Sequence, residues 1–96
     1  MIGYTKREGE ETLSALVLAD RIGDHLMYCG RVGSGFNEAK RRQLYQDIIK
    51  TPRMKTRVPD VPREAILHET GWKCRVRFFE RTEDGCLRAP VFVEIV

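Results

Sequence analysis

Lys73-Cys74-Arg75-Val76-Arg77-Phe78-Phe79-Glu80-Arg81-Thr82-Glu83-Asp84-Gly85-Cys86-Leu87-Arg88-Ala89-Pro90-Val91-Phe92 carries the alternation on which the fold of this chain turns. Read at a period of two, Trp72, Cys74, Val76 and Phe78 fall on one side of an extended chain. Lys73, Arg75, Arg77, Phe79 and Arg81 fall on the other. Such a strand buries one face and offers guanidinium groups and an aromatic ring on the opposite one. Thr82-Glu83-Asp84-Gly85 supplies a hairpin turn, and Cys86 to Ile95 forms the returning strand, in which Pro90 fits only an edge or a bend. The cationic face of this hairpin suits a polyanion such as nucleic acid.

Upstream of it the chain is mostly strand. Thr12 to Ala19 reads as a largely buried strand, Asp20-Arg21-Ile22-Gly23-Asp24 as a turn, and His25 to Val32 as the returning strand. Leu26, Tyr28 and Val32 are expected on the core face, and His25, Met27, Cys29 and Arg31 on the other. Gly33-Ser34-Gly35 ends that strand. Asn37 then caps a helix running to about Lys50, with Leu44, Tyr45, Ile48 and Ile49 as its apolar stripe. Lys40, Arg41 and Arg42 crowd its first turns, where cations oppose the helix dipole, and that cost favours a functional use for them. Thr51-Pro52 ends the helix. Pro52, Pro59 and Pro62 bracket a basic connector holding Arg53, Lys55 and Arg57, for which disorder and a binding element that orders on a partner are both open. Ala65 to His68 is a short strand, Gly71 a turn, and a further strand fits near Ile2 to Thr5. This order gives one mainly β domain over residues 1–96, an antiparallel barrel of five or six strands with one inserted helix at about 37–50. An oligonucleotide-binding (OB) barrel fits that order.

The 96 residues suffice for one modest core without a metal or a disulfide. With 17 Lys and Arg against 14 Asp and Glu, the net charge of +3 is mild. Its distribution is not: residues 40–81 hold twelve bases and five acids, a net +7, so the remainder carries −4. Cys29, Cys74 and Cys86 are too scattered for a zinc site and odd in number, which suits a reducing, intracellular compartment. No transmembrane run or secretory signal occurs. HExxH, CxxC and GxSxG are absent, so composition and motifs describe a binding module. The glycines of Gly30-Arg31-Val32-Gly33-Ser34-Gly35-Phe36 allow backbone N–H groups to approach a phosphate, with Arg31 and Ser34 beside it. They equally suit a tight strand-to-helix turn needing positive φ.

Three segments in order, Ile2-Gly3-Tyr4-Thr5, Gly30 to Phe36, and Val76-Arg77-Phe78 through Thr82-x-Asp84-Gly85-x-Leu87-Arg88-x-Pro90-x-Phe92, resemble the C-terminal OB domain of ATP-dependent DNA ligases, the ligase D type especially. The resemblance implies a role in nick sealing during DNA repair and recombination. In that family an upstream nucleotidyltransferase domain, absent here, carries a Lys-x-Asp-Gly lysine that is adenylylated by ATP with a divalent metal such as Mg²⁺. This chain has no such motif, so no catalytic residue and no cofactor of its own are expected, and alone it should be inactive. The OB domain in that family clamps nicked duplex DNA and helps bring a terminal motif to the ATP phosphates. Arg88, Pro90 and Phe92 match the start of that motif, which makes Arg88 the candidate ATP-phosphate contact. Val96 stands where its second arginine belongs.

The expected DNA contacts are Lys73, Arg75, Arg77, Phe79 and Arg81, joined by Arg31, Ser34, Lys40, Arg41 and Arg42. The expected partners are nicked duplex DNA and the nucleotidyltransferase domain of the same protein, with no membrane. The chain is expected to be a monomer in the cytoplasm, associated with the nucleoid. The rival readings are a stand-alone OB module that binds single-stranded nucleic acid, and a domain that docks on a protein partner.

Overall fold

A computed structural model describes residues 1–6 and 13–96. Strands β1 (Gly3–Lys6), β2 (Leu13–Ile22), β3 (His25–Val32) and β4 (Ile66–Leu67) form one antiparallel sheet in the order β3-β2-β1-β4. Helix α1 (Glu38–Ile49) lies between β3 and β4 in sequence. The long C-terminal strands are each broken once. Strand β5 (Cys74–Arg77) pairs with β8 (Val91–Ile95), and β6 (Glu80–Arg81) pairs with β7 (Leu87–Arg88). The first break falls at Phe78-Phe79 and the second at Ala89-Pro90, where Ala89 takes a positive φ of 53°. Among the described residues, rejoining the halves gives six strand runs and one inserted helix, the antiparallel architecture of a small OB-type barrel. The expected start of β2 at Thr12 lies outside the described residues.

Both faces of the four-stranded sheet are covered, because successive side chains alternate across it. Leu13, Leu16 and Leu18 of β2 join Tyr4, Val32, Phe92 and the helix residues Leu44 and Ile48 in one cluster, while Val17 joins Ile2, Val58, Ala65 and Leu67 in another. The helix lies where its caps predict: Asn37 Oδ1 accepts from the Lys40 N–H at 2.8 Å, and the Thr51 hydroxyl donates to the Ile48 carbonyl at 2.6 Å. Burying Leu44 and Ile48 stabilises the helix by about 2–3 kcal/mol each relative to exposure. Tyr45 is half-buried at 5.4 Å from the Tyr4 ring, and Ile49, the last of the expected stripe, is exposed.

Cys29 departs from its expected face. Leu18 faces Gly30 and Ala19 faces Tyr28, so Cys29 is an extra residue in a β-bulge. The bulge turns its side chain inward, leaving it 5% exposed, while Leu26 and Tyr28 pack against the other cluster. Burial first of all pushes the Cys29 thiol up to about 11, so it is an inert core residue.

The basic connector is ordered against the sheet. Val58 is buried, Met54 N–H donates to the Leu67 carbonyl at 3.0 Å, and Arg53 bridges to His68. The Arg57 guanidinium donates to the carbonyls of Ala65 (3.2 Å), Arg63 (3.0 Å) and Pro62, tying the middle of the connector to its C-terminal end. His68 is buried with Nδ1 3.0 Å from the Thr51 carbonyl. A carbonyl only accepts, so Nδ1 carries the proton and the ring serves structure.

Candidate nucleic-acid interface

The β5–β8 ladder positions the first group of basic residues. Its register sets Arg75 opposite Glu94 and Arg77 opposite Val91, with a bulge between Arg75 and Val76. Trp72, Cys74 and Val76 are half-buried against the core, as their alternation requires, and Lys73, Arg75 and Arg77 are exposed. The expected alternation then stops, because β5 ends at Arg77. Phe78, expected inside, is 45% exposed, and Phe79 is 78% exposed.

Beyond the break, β6 and β7 form a short hairpin closed by the Thr82–Gly85 turn. Gly85 has φ 86°, and Gly85 N–H donates to the Thr82 carbonyl at 2.9 Å. The Thr82 hydroxyl donates to the Asp84 carboxylate, and this bond holds the carboxyl below its usual range. Glu80 and Arg88 are cross-strand partners on this hairpin, and Arg88 Nη1 donates to Glu80 Oε1 at 2.7 Å. Arg81 reaches back to β2: its Nη1 donates to Asp20 Oδ2 at 2.8 Å and to the Gly85 carbonyl at 3.1 Å, and its guanidinium lies 5.7 Å from the Phe78 ring centroid. The hydrogen bond to Asp20 raises the Arg81 pKa further above its already high value.

Lys73, Arg75 and Arg81 open onto one concavity of about 1290 Å³, together with Arg21, which sequence reasoning assigned to a turn. Trp72, Cys74, Val76 and Phe78 line the same space. Residues of both alternation sets line it, so the edge of β5 opposite β8 faces the concavity. Asp20, Asp24 and Glu69 add negative charge to its wall.

The remaining candidates are dispersed. Arg31 lies on β3 and pairs with Glu64 at 3.3 Å. Ser34 is exposed, and its carbonyl accepts from Phe92 N–H at 2.9 Å, which draws the glycine loop beside β8. Gly35 there has φ 96°. Lys40 and Arg42 are exposed on α1.

Arg41 faces the other way. Its Nη1 donates to the carbonyls of Leu13 (3.0 Å) and Ser14 (2.9 Å), its Nη2 to Gly33 at 3.5 Å, and it stacks 4.9 Å from the Phe36 ring centroid. The side chain is 21% exposed, and its buried Nε has Glu38 at 3.5 Å without a hydrogen bond. Arg41 thus pins the helix start to β2, and the cation beside the helix N-terminus is explained by those carbonyls rather than by a ligand. Arg41→Ala is expected to cost about 2–3 kcal/mol in urea unfolding, as charge-assisted bonds to buried carbonyls are lost. Arg42→Ala should cost less than about 0.5 kcal/mol.

Among the described residues no group of three or more His, Cys, Asp or Glu gathers as a metal site, and no helix is long and apolar enough to cross a membrane. No curated protein matches the sequence. The ligase domain of M. tuberculosis LigD, a solved structure, superposes with a TM-score of 0.87 at 22% identity, covering 100% of this chain and 33% of that one. The chain therefore spans a third of that ligase domain and shares its fold there. The family described as the ATP dependent DNA ligase C terminal region matches residues 9–95. With nearly all of its length inside that match and its strands and helix in the corresponding fold, this chain belongs to the family of ATP-dependent DNA ligase C-terminal domains.

Proposed function

We propose that residues 1–96 act as a single OB domain that clamps nicked duplex DNA for an ATP-dependent ligase during repair or recombination, in the cytoplasm at the nucleoid. The observation that carries this reading is the gathering of Lys73, Arg75, Arg81 and Arg21 on one open concavity, with Arg77 on the same strand as Arg75. DNA carries one negative charge per ~1.7 Å of axis, so a body 33 × 31 × 26 Å in extent faces on the order of twenty phosphates. Phosphate contacts fix position and carry no sequence information, so sealing is independent of sequence. Lys73, Arg75, Arg77 and Arg81 make these contacts, Phe79 packs on sugars, and Arg31, Ser34, Lys40 and Arg42 extend the surface.

The adenylylated lysine, ATP and Mg²⁺ belong to the nucleotidyltransferase domain of the same protein. Arg88 fits a phosphate contact there, since its guanidinium is exposed on the β6–β7 hairpin. The domain works as a monomer on that partner. A second reading, single-strand binding, draws on Trp72 and Phe78 in the concavity wall, because aromatic faces stack bases. Titration of the chain with labelled nicked duplex, intact duplex and single strand of equal length separates the two. Tighter binding to either duplex than to the single strand is expected, and the reverse order would replace clamping by single-strand binding.

A further inference from the structure

Three arginines of the proposed surface, and Arg88 beside them on the β6–β7 hairpin, are already held by carboxylates of the same chain. Arg88 pairs with Glu80 at 2.7 Å, Arg81 with Asp20 at 2.8 Å, Arg31 with Glu64 at 3.3 Å and Arg75 with Glu94 at 3.5 Å. In each pair both side chains are about half exposed. Lys73 and Arg77 have no carboxylate within ion-pair distance among the described residues. Among the described residues the surface therefore divides into cations outside an ion pair and cations already occupied by an anion.

We infer that Arg88, besides its contact with the nucleotide phosphates, joins Arg75 in meeting DNA, and that Glu80 and Glu94 are built-in competitors of the DNA phosphates: they hold Arg88 and Arg75 in place and surrender them only when duplex docks. The inference rests on the clamping reading of the same surface. A carboxylate and a phosphate offer a guanidinium the same kind of paired oxygen acceptors, so one replaces the other without a change of geometry. Exposed pairs of this kind contribute little to stability, so exchange is cheap. Lys73 and Arg77, which lie outside these pairs, make the first contacts, and the paired arginines exchange afterwards. Non-specific binding is thereby weakened in a graded way, and the enzyme leaves duplex that offers too few contacts to complete the exchange. Each exchange also frees a carboxylate that takes up a cation, which offsets the cation released from the DNA.

The experiment measures duplex affinity against salt for the wild-type chain and for Glu80→Gln, Glu94→Gln, Glu83→Gln, Arg88→Ala and the double variant Glu80→Gln/Arg88→Ala. Glu83 lies in the same hairpin's turn, and among the described residues it holds no arginine. Glu80→Gln and Glu94→Gln are each expected to bind about threefold tighter, the strength of an exposed pair. Their plots of log K against log salt should be steeper by nearly one unit. Glu83→Gln should change affinity by less than about 1.5-fold at 0.1 M salt, because among the described residues it holds no arginine to be exchanged and exposed charges interact weakly. In the Arg88→Ala background the gain from Glu80→Gln should vanish. Equal small gains from all three glutamate variants with unchanged slopes would overturn the exchange and leave clamping intact. Absence of duplex binding by the wild type and every variant would overturn both.

Discussion

Replacing Lys73, Arg75 and Arg77 together by glutamate is expected to lower affinity for duplex DNA at least roughly a hundredfold at low salt, because three phosphate contacts become three repulsions. All three side chains are exposed on or beside β5, and Arg77 faces Val91 rather than an acid. The substitutions should thus move the unfolding midpoint little, since exposed changes away from packed groups are usually within about 0.5 kcal/mol. Arg75 contributes somewhat more through Glu94, its cross-strand neighbour at 3.5 Å. Fluorescence anisotropy on labelled duplex, with circular dichroism on the same samples, reads both quantities. A domain that only docks on a protein partner would keep whatever DNA affinity it has.

Gly35→Ala should be strongly damaging to the fold, at about 3 kcal/mol or more. Gly35 has φ 96°, a conformation that an L-residue adopts only at a cost of about 1–2 kcal/mol. A Cβ there would also lie 2.6 Å from the Phe92 nitrogen and 2.8 Å from Val91 Cγ1. The Phe92 backbone cannot retreat easily, because its N–H is bonded to the Ser34 carbonyl and its side chain is buried against Phe36. Gly23→Ala is the matched comparison, with φ 62° and nothing within 4 Å of the added carbon. It should cost only the conformational part. Urea unfolding of both variants isolates the close approach, and equal losses would show that the loop yields.

The close approach at Gly35 explains why the glycine segment reads two ways in sequence. Spacing alone allows either a phosphate cradle or a tight turn, and the choice depends on Phe92, which is distant in the chain. The same limit recurs elsewhere. Asn37 as cap, the Thr82–Gly85 turn and the burial of Leu44 and Ile48 are local, and they were legible because capping and periodicity act within a few residues. The bulge at Cys29 was not, since it is a mismatch in register between β2 and β3 that neither strand displays alone. Arg41 looked like its neighbours Lys40 and Arg42. What separates it is the set of carbonyls at Leu13, Ser14 and Gly33 that the fold brings to its guanidinium. The Glu80–Arg88 pair lay within reach of sequence reasoning, because a turn over 82–85 fixes their register. The Asp20–Arg81 pair did not, as it joins two separate hairpins. Alternation from Trp72 to Arg81 located the cationic surface, but it overran the break at Phe78-Phe79, where the chain leaves the ladder.

The salt dependence of duplex binding bears most directly on the clamp. With Lys73 and Arg77 releasing counterions outright, and the release at Arg75 and Arg81 offset by their freed carboxylates, the slope of log K against log salt should be about −2 for nicked duplex, and similar for duplexes of unrelated sequence. A slope near zero, or binding confined to one sequence, would contradict it.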